Sequence, residues 1–186
     1  MTTVAQTQSK QISGVWDVDF RNFSYRVAFD GETAGRTIKL SDGKLEDGGK
    51  YEDGGTLYEL FDKPTYGDVN GDGSEDAVVE IKRSGAPSLR SFEVHAYAFQ
   101  NGQAKLLARV DDGRVLKDYQ RTYGKGDLHY AGNNPPKIQN GRVIVEALMD
   151  GSFACPKYAA VFDYKLSGGK FVLTGKPTRK QFKCNE

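Results

Sequence analysis

Glycine-containing turn dipeptides divide this chain into short runs of alternating apolar and polar residues. Glycine adopts the positive φ that two-residue hairpin turns require. The runs DAVVEIK (76–82) and SFEVHAYAF (91–99) alternate with a period of two, which is typical of a strand with one buried face. The pattern predicts a mainly β fold of half-buried antiparallel strands with little helix. The dipeptides are Asp42-Gly43, Asn101-Gly102, Asp112-Gly113, Asn140-Gly141 and Gly168-Gly169.

The same pattern predicts where the hairpins lie and how they are arranged. The one helix candidate is a turn or two around Val115–Arg121, and the glycine-rich segment 46–55 reads as a loop over one sheet edge. We expect a meander or a sandwich or open-barrel arrangement. The predicted hairpins are 76–82 with 90–100, 104–110 with 114–119, and 142–149 with 157–166, followed by a strand at 170–174.

Length and charge limit the class of protein. The 186 residues show no internal repeat or linker, so we predict a single domain over 13–186. Residues 1–12 are polar and lack an apolar signal core, and they are interpreted as a flexible leader, native or left after an export signal was trimmed. Lys and Arg number 26 against 25 Asp and Glu. This balance gives no reason to expect nucleic acid, and no apolar run is long enough to span a membrane.

One segment carries recognisable chemistry, the acidic loop DVNGDGSED (Asp68–Asp76). Its oxygen-bearing side chains recur at alternate positions of a tight turn, and Gly73 permits that turn. Calcium takes six to eight oxygen ligands, whereas zinc and copper prefer softer donors and magnesium retains more of its waters. The spacing therefore predicts one Ca²⁺ held by Asp68, Asn70, Asp72, the Ser74 carbonyl and Asp76.

The acidic loop differs from an EF-hand in two respects. Its twelfth position is Val79, where an EF-hand has a bidentate Glu, and the chain continues into the strand AVVEI. A polar turn without an ion is the alternative, because Asn-Gly and Asp-Gly form turns on their own. Four oxygen side chains within nine residues repel one another without a cation, which favours calcium.

The segment YGDVNGDGSEDAVVEI (66–81) resembles the core motif of uncharacterised bacterial secreted and lipid-anchored domains, and its loop is similar to those of the FG-GAP/VCBS type. The blocks WDVDFRNFSY (16–25) and GSFACPKYAAVFDYKLSGGKFVLTG (151–175) extend the first resemblance. It implies an exported, β-rich domain, secreted, periplasmic or on the cell surface, with a structural calcium and no assigned activity. A single loop departs from FG-GAP propellers, which need one in each blade.

The two cysteines, Cys155 and Cys184, are predicted to form one disulfide, since an even count suits an oxidising compartment. Two separate reduced thiols are the alternative. The bridge would close a loop of roughly 30 residues and stabilise the fold by about 3–4 kcal/mol in the chain-entropy model.

Histidines mark two further groups of residues. His95 shares the predicted polar strand face with Glu93, and Glu80 is expected nearby across the hairpin. A Glu/His pair can serve acid–base chemistry, although such residues more often form a cross-strand polar pair. The second group is rich in tyrosine and either stacks on a sugar or partner or packs in the core. It comprises Tyr119, Tyr123, His129 and Tyr130.

Three functions remain open from the sequence. The first is a non-enzymatic, calcium-stabilised exported domain that binds a protein, glycan or cell-wall partner. The second is a secreted glycan hydrolase that uses Glu80, Glu93 or His95. The third is an inhibitor of a secreted hydrolase, with the rigid segment 132–137 as its wedge. The sequence lacks the nucleophile-elbow, zinc-protease and phosphate-loop motifs, which favours the first.

Overall fold

The computed structural model describes residues 13–29, 35–85, 89–131, 134–152 and 154–183, so the predicted leader lies outside the described residues. Short 3-10 helices occupy Val15–Asp17, Phe20–Asn22 and Tyr51–Asp53. The other elements are β1 (Ser24–Val27), β2 (Arg36–Lys39), β3 (Lys44–Asp47), β4 (Thr56–Gly67), β5 (Asp76–Gly85), β6 (Leu89–Gln100), β7 (Gln103–Asp111), α1 (Asp112–Tyr123), β8 (Leu128–Ala131), β9 (Lys137–Gln139), β10 (Arg142–Gly151), β11 (Pro156–Ser167), β12 (Lys170–Leu173) and β13 (Thr178–Gln181).

The strands form three antiparallel sheets. Strands β3 to β7 make a five-stranded meander in chain order, and β1 pairs with β2. The third sheet has the order β12-β11-β10-β8, with β13 also paired to β11 and β9 to β10. The mainly β, antiparallel fold class is confirmed. No helix in the described ranges is both long and apolar enough to cross a membrane.

The five-stranded sheet is the central layer, with a hydrophobic core on each face. One face packs against α1 and the six-stranded sheet, and the other packs against β1, β2 and the N-terminal 3-10 turns. Burial on both faces corrects the prediction that β5 and β6 are half-buried. The residues of β5 that face the two cores are Val78 on the first side and Ala77, Val79 and Ile81 on the second.

The turn dipeptides and the alternating runs together predicted most of the hairpins correctly. Asn101-Gly102, Asn140-Gly141 and Gly168-Gly169 connect consecutive strands, and all six residues have φ between 51° and 79°. The predicted hairpins 76–82 with 90–100 and 142–149 with 157–166 are the pairs β5–β6 and β10–β11. The glycine-rich segment 46–55 lies mainly in the connection between β3 and β4, as predicted.

The predicted hairpin 104–110 with 114–119 is wrong in its second half. Strand β7 ends at Asp111, and residues 112–123 form α1, longer than the turn or two predicted. The Asp111 side chain accepts a hydrogen bond from the Arg114 amide at 2.6 Å, which caps the helix. Val115 and Tyr119, four residues apart, bury one helix face in the core.

Candidate functional site

The acidic loop joins β4 to β5 at the end of the central hairpin, and its backbone wraps around its own side chains. Asp68 Oδ1 accepts a hydrogen bond from the Gly71 amide at 2.6 Å, and its Oδ2 accepts one from the Gly73 amide at 2.9 Å. Asp72 Oδ1 accepts from the Ser74 amide at 2.8 Å. Gly71 and Gly73 have φ of 80° and 83°, which glycine tolerates. The loop is therefore tightly curled, as its spacing predicts.

Asp76 lies at the base of the loop and is completely buried. Its Oδ2 accepts hydrogen bonds from the amides of Val69 at 2.9 Å and Asn70 at 3.2 Å. Burial raises the pKa of this carboxyl, and the nearby Asp72 and Asp68 charges add to that rise. The pKa of Asp72 itself is lowered, first by the Ser74 amide and then by Asn70. Three carboxylates therefore interact electrostatically within one loop.

The Asn70 carboxamide lies between two of these carboxylates. Its Nδ2 donates to Asp72 Oδ2 at 2.9 Å and to Asp76 Oδ1 at 3.4 Å, while its Oδ1 accepts from the Asp72 amide at 2.8 Å. The NH2 group of Asn70 thus places a partial positive charge between these carboxylates, where a cation would place a full one. Among the described residues, no lysine or arginine pairs with Asp68, Asp72 or Asp76.

The donor set fits a hard cation, although the side chains are not arranged as ligands. Within the described ranges, no three His, Cys, Asp or Glu side chains converge as a metal-binding group. Binding calcium would require the Asn70 carboxamide to turn its oxygen inward and the carboxylates to close on the ion. All the available donors are oxygens, the ligands that calcium takes.

The acidic loop lies where the two larger sheets meet. Val69 projects from it into the core that the two sheets share. Just before the loop, Gly67 allows Ile138 of β9 to approach so closely that a Cβ there would lie 3.0 Å from Ile138 Cγ2. The Thr65 hydroxyl of β4 donates to the Pro136 carbonyl at 2.8 Å. An ion in the loop would therefore stabilise the junction between the sheets.

No protein-family model, no curated protein and no solved structure matches this chain. The resemblance to bacterial secreted domains thus stays a prediction, together with the calcium and the export that it implies.

Glu93 and His95 form a buried pair, which corrects the expectation that they lie on a polar face. Glu93 Oε2 is 2.6 Å from His95 Nε2, so this nitrogen carries the hydrogen that the carboxylate accepts. Glu93 Oε1 accepts a hydrogen bond from the Ala28 amide at 2.6 Å, and His95 Nδ1 lies 3.0 Å from the Tyr97 hydroxyl. The pair is covered by β1, β2 and the N-terminal 3-10 turns, together called the N-terminal layer, and is closed to a substrate.

Glu80 is not a neighbour of His95, contrary to the prediction. It pairs in register with Val94, on the opposite face of the sheet. Its side chain is buried, and Lys82 Nζ, 3.6 Å from Oε1, also lies 3.0 Å from the centroid of the Phe61 ring. Because the two faces belong to different cores, Glu80 cannot share a cleft with the Glu93–His95 pair.

Two surface grooves also lack the residues predicted for hydrolysis. A groove of about 250 Å³ lies between the N-terminal turns and β4, where Phe20 and Tyr66 line it. A second groove of about 340 Å³ lies on the outer side of β10 and β11, beside Ile144 and Asp163. Neither is lined by Glu80, Glu93 or His95.

The tyrosine group is only partly exposed. Tyr119 is buried, and its hydroxyl donates to Asp150 Oδ2 at 2.8 Å, while burial is the main cause of a pKa raised to about 12. The Tyr123 ring lies 4.7 Å from that of Tyr119, and its hydroxyl donates to the Pro177 carbonyl at 2.6 Å. His129 Nε2 is 3.0 Å from the Asp150 carbonyl oxygen. These contacts favour the core alternative for Tyr119.

Tyr130 lies in β8, opposite Leu148 of β10, and its side chain falls outside the described part of the structure. Arg179 was not singled out from the sequence. Its guanidinium lies over two tyrosine rings beside the tyrosine group. The only sequence signal for this residue is the basic stretch KPTRKQFK (176–183).

The predicted disulfide stays a prediction, because Cys184 lies outside the described residues. Cys155 lies in the turn between β10 and β11, where its amide donates to the Ser152 carbonyl at 3.1 Å. The Phe182 amide donates to the Lys157 carbonyl at 2.9 Å, so the end of the described chain runs alongside β11 toward Cys155. This direction supports the predicted bridge.

Proposed function

We propose that this chain is a non-enzymatic exported domain that holds one structural calcium ion in the acidic loop and binds a macromolecular or cell-wall partner. The observation that carries the proposal is the buried carboxylate of Asp76, which interacts electrostatically with Asp68 and Asp72, with no cationic side chain of the described residues to neutralise them. A divalent cation would relieve that repulsion. The all-oxygen donor set favours calcium over zinc or copper.

The location of the loop suggests how calcium would act. Both ends of the loop are central strands, and Gly67 and Val69 touch the six-stranded sheet or the core it shares. If the carboxylates closed on an ion, they would hold the β4–β5 hairpin in place where it packs against β9. Extracellular sites of this type bind calcium with Kd of about 10⁻⁴–10⁻³ M, so the ion would be bound outside cells and lost inside them.

The alternative functions receive less support. For a hydrolase, Glu80 and the Glu93–His95 pair lie on opposite faces of one sheet, and both are buried. For an inhibitor, the described part of the 132–137 segment does not project as a wedge. Pro136 is buried, its carbonyl accepts a hydrogen bond from Thr65, and Asn134 Nδ2 donates to Glu146 at 3.1 Å.

A calorimetric calcium titration tests the proposed site. We expect the native chain to bind one Ca²⁺ with Kd of about 10⁻⁴–10⁻³ M and to bind Mg²⁺ much more weakly. Asp72→Asn should weaken calcium binding at least about tenfold, because it removes one charged ligand. Asp62→Asn is the matched control, since Asp62 is an exposed carboxylate outside the loop. No binding by the folded native chain at about 10 mM Ca²⁺, tenfold above the weakest expected Kd, would overturn the proposal.

A further inference from the structure

Among the strands that the structure describes, β13 is an exposed edge of the six-stranded sheet. It pairs with β11 on one side, and all four of its residues are exposed. Phe182 donates its amide hydrogen to Lys157, directly after the strand. Antiparallel ladders alternate, so Lys180 and Thr178 also direct their backbone groups toward β11. The backbone N–H and C=O groups of Arg179 and Gln181 therefore point away from β11, to the open edge.

Arg179 is held in place on this edge. Its Cζ lies 4.1 Å from the centroid of the Tyr123 ring and 4.2 Å from that of Tyr158. Its Nη1 donates to the Tyr119 hydroxyl at 3.0 Å, and that hydroxyl in turn donates to Asp150. Aromatic rings cover the faces of a planar guanidinium, which leaves its N–H edge for acceptors that approach in the plane.

The Arg179 charge is not neutralised by any described carboxylate. Its one described hydrogen-bond acceptor is a tyrosine hydroxyl, which leaves most of its five N–H donors without an acceptor among the described residues. Further cations neighbour it in sequence, and the segment 176–183 contains no Asp or Glu. The cations in that segment are Lys176, Arg179, Lys180 and Lys183.

We propose that the open edge of β13 takes an extended acidic segment of a partner protein as an additional strand, with one carboxylate of that segment bound by Arg179. This deepens the proposed binding role by naming the surface and the chemistry of the partner. Backbone hydrogen bonds to Arg179 and Gln181 would supply affinity, and the charge of Arg179 would select the acidic side chain.

The register of such a strand follows from β-sheet geometry. A residue directly opposite Arg179 would have its side chain on the same face, about 5.5 Å away between Cα atoms. A Glu or Asp at that position reaches the guanidinium edge with the bidentate geometry that arginine favours. Basic residues on an edge also discourage pairing between two copies of the chain, because Arg and Lys would face like charges. The edge thus favours an acidic partner over a second copy.

A peptide of alternating Glu and Thr residues is the probe, used with the full chain in saturating calcium. Amide exchange and ¹⁵N-resolved titration should show protection at Arg179 and Gln181 but not at Lys180, whose amide already faces β11. Arg179→Gln should weaken peptide binding about tenfold, as expected for loss of a charge-assisted bidentate contact. The matched control Lys180→Gln removes the same charge from the other face of the same strand and should change binding no more than about twofold.

Two more arms distinguish the possible outcomes. The same peptide, N-methylated at every residue, has no amide hydrogen on either edge to donate to β13 and should not bind, a result that does not depend on any variant folding. Polygalacturonate offers carboxylates without a peptide backbone and should bind more weakly than the peptide. Equal losses in the two variants, equal binding of the methylated peptide or of polygalacturonate, or no binding at about 1 mM peptide would each overturn the proposal. If calcium raises Tm but the peptide does not bind, the calcium site is supported and the proposal for the β13 edge is rejected.

Discussion

Glu93 and Glu80 are buried on neighbouring strands, and their partners differ. Glu93 accepts hydrogen bonds from Ala28 and His95, and Arg109 Nη1 lies 3.9 Å from its carboxylate. Glu80 Oε1 accepts no hydrogen bond from the described residues, and Lys82 Nζ at 3.6 Å is too distant to donate one. Burial therefore raises the pKa of Glu80 from its ordinary value of 4.5 to about 7, although the Lys82 charge opposes the shift.

The raised pKa of Glu80 predicts a stability that falls as the pH rises. Between about 4.5 and 7 the folded chain holds a proton that the unfolded chain releases. The contribution of Glu80 is full below pH 4.5 and is lost as the pH passes through about 7. Glu80→Gln, a neutral mimic, should match the native chain near pH 4 and exceed its free energy of unfolding by about 3 kcal/mol near pH 8.

Urea denaturation at both pH values measures this difference. Glu46→Gln, which alters an exposed carboxyl of β3, is the matched control and should leave the pH dependence unchanged. If the free energy of unfolding depends on pH in the same way in Glu80→Gln, in Glu46→Gln and in the native chain, Glu80 is ionised and solvated in the fold. Its burial then does not raise its pKa.

Helix α1 begins where the sequence predicts a turn, because Asp and Gly signal both structures. Asp112-Gly113 forms hairpin turns in some contexts, and an Asp such as Asp111 also caps helices. Packing decides between them. Tyr119 is fully buried, and Asp118 accepts hydrogen bonds from Arg114 and the Tyr164 hydroxyl of β11. Tyr164 is distant in sequence from Asp118, so a local pattern cannot reveal this contact.

The Asp111 cap can be tested by a pair of substitutions. Asp111→Ala removes the acceptor for the Arg114 amide and should cost about 1 kcal/mol of stability, or roughly 2–4 °C in Tm for a chain of this size. Asp111→Asn keeps an oxygen acceptor in the same place and should cost only a few tenths of a kcal/mol. Thermal melts by circular dichroism compare them. If the two variants lose equal stability, the hydrogen bond to the Arg114 amide contributes nothing, and only the charge of Asp111 matters.

The sequence predicted the strands correctly where their structure depends on neighbouring residues alone. The dipeptides Asn101-Gly102, Asn140-Gly141 and Gly168-Gly169 fix their turns through positive φ, so their hairpins could be placed from sequence. Alternation gave the correct two sets of residues in β5 and β6. It could not show that both sets are buried, because the N-terminal layer that covers the second face is distant in sequence.

The same distinction applies to the candidate site. The curl of the acidic loop follows from its own spacing and glycines, and it was predictable. The complete burial of Asp76 depends on the packing of the loop against the two sheets. The basic edge at Arg179 depends on Tyr123 and Tyr158, which come from a helix and a strand far along the chain. The burial of Asp76 has no local sequence signature. At Arg179 the basic stretch 176–183 signals the charge but not the tyrosine rings that hold it.

In the described part of the chain, few polar contacts join the three sheets, and these contacts identify what calcium would stabilise. The N-terminal layer is tied to the central sheet where Ala28 donates to Glu93, and where Arg109 of β7 donates to the Arg26 carbonyl at 3.0 Å. The central and six-stranded sheets meet beside the acidic loop, next to Gly67. An ion there would act on the larger of the two cores, so its removal should lower the stability of the fold as a unit.

Thermal unfolding in 1 mM calcium, compared with excess chelator, is the most direct measurement. If Kd is about 10⁻⁴ M, calcium should add about 1.4 kcal/mol by mass action, or roughly 3–6 °C in Tm. Magnesium should not reproduce the shift, and Asp72→Ala should abolish it. An unchanged Tm in the native chain and in Asp72→Ala would contradict the account, and the acidic loop would then be a polar turn that its own amides stabilise.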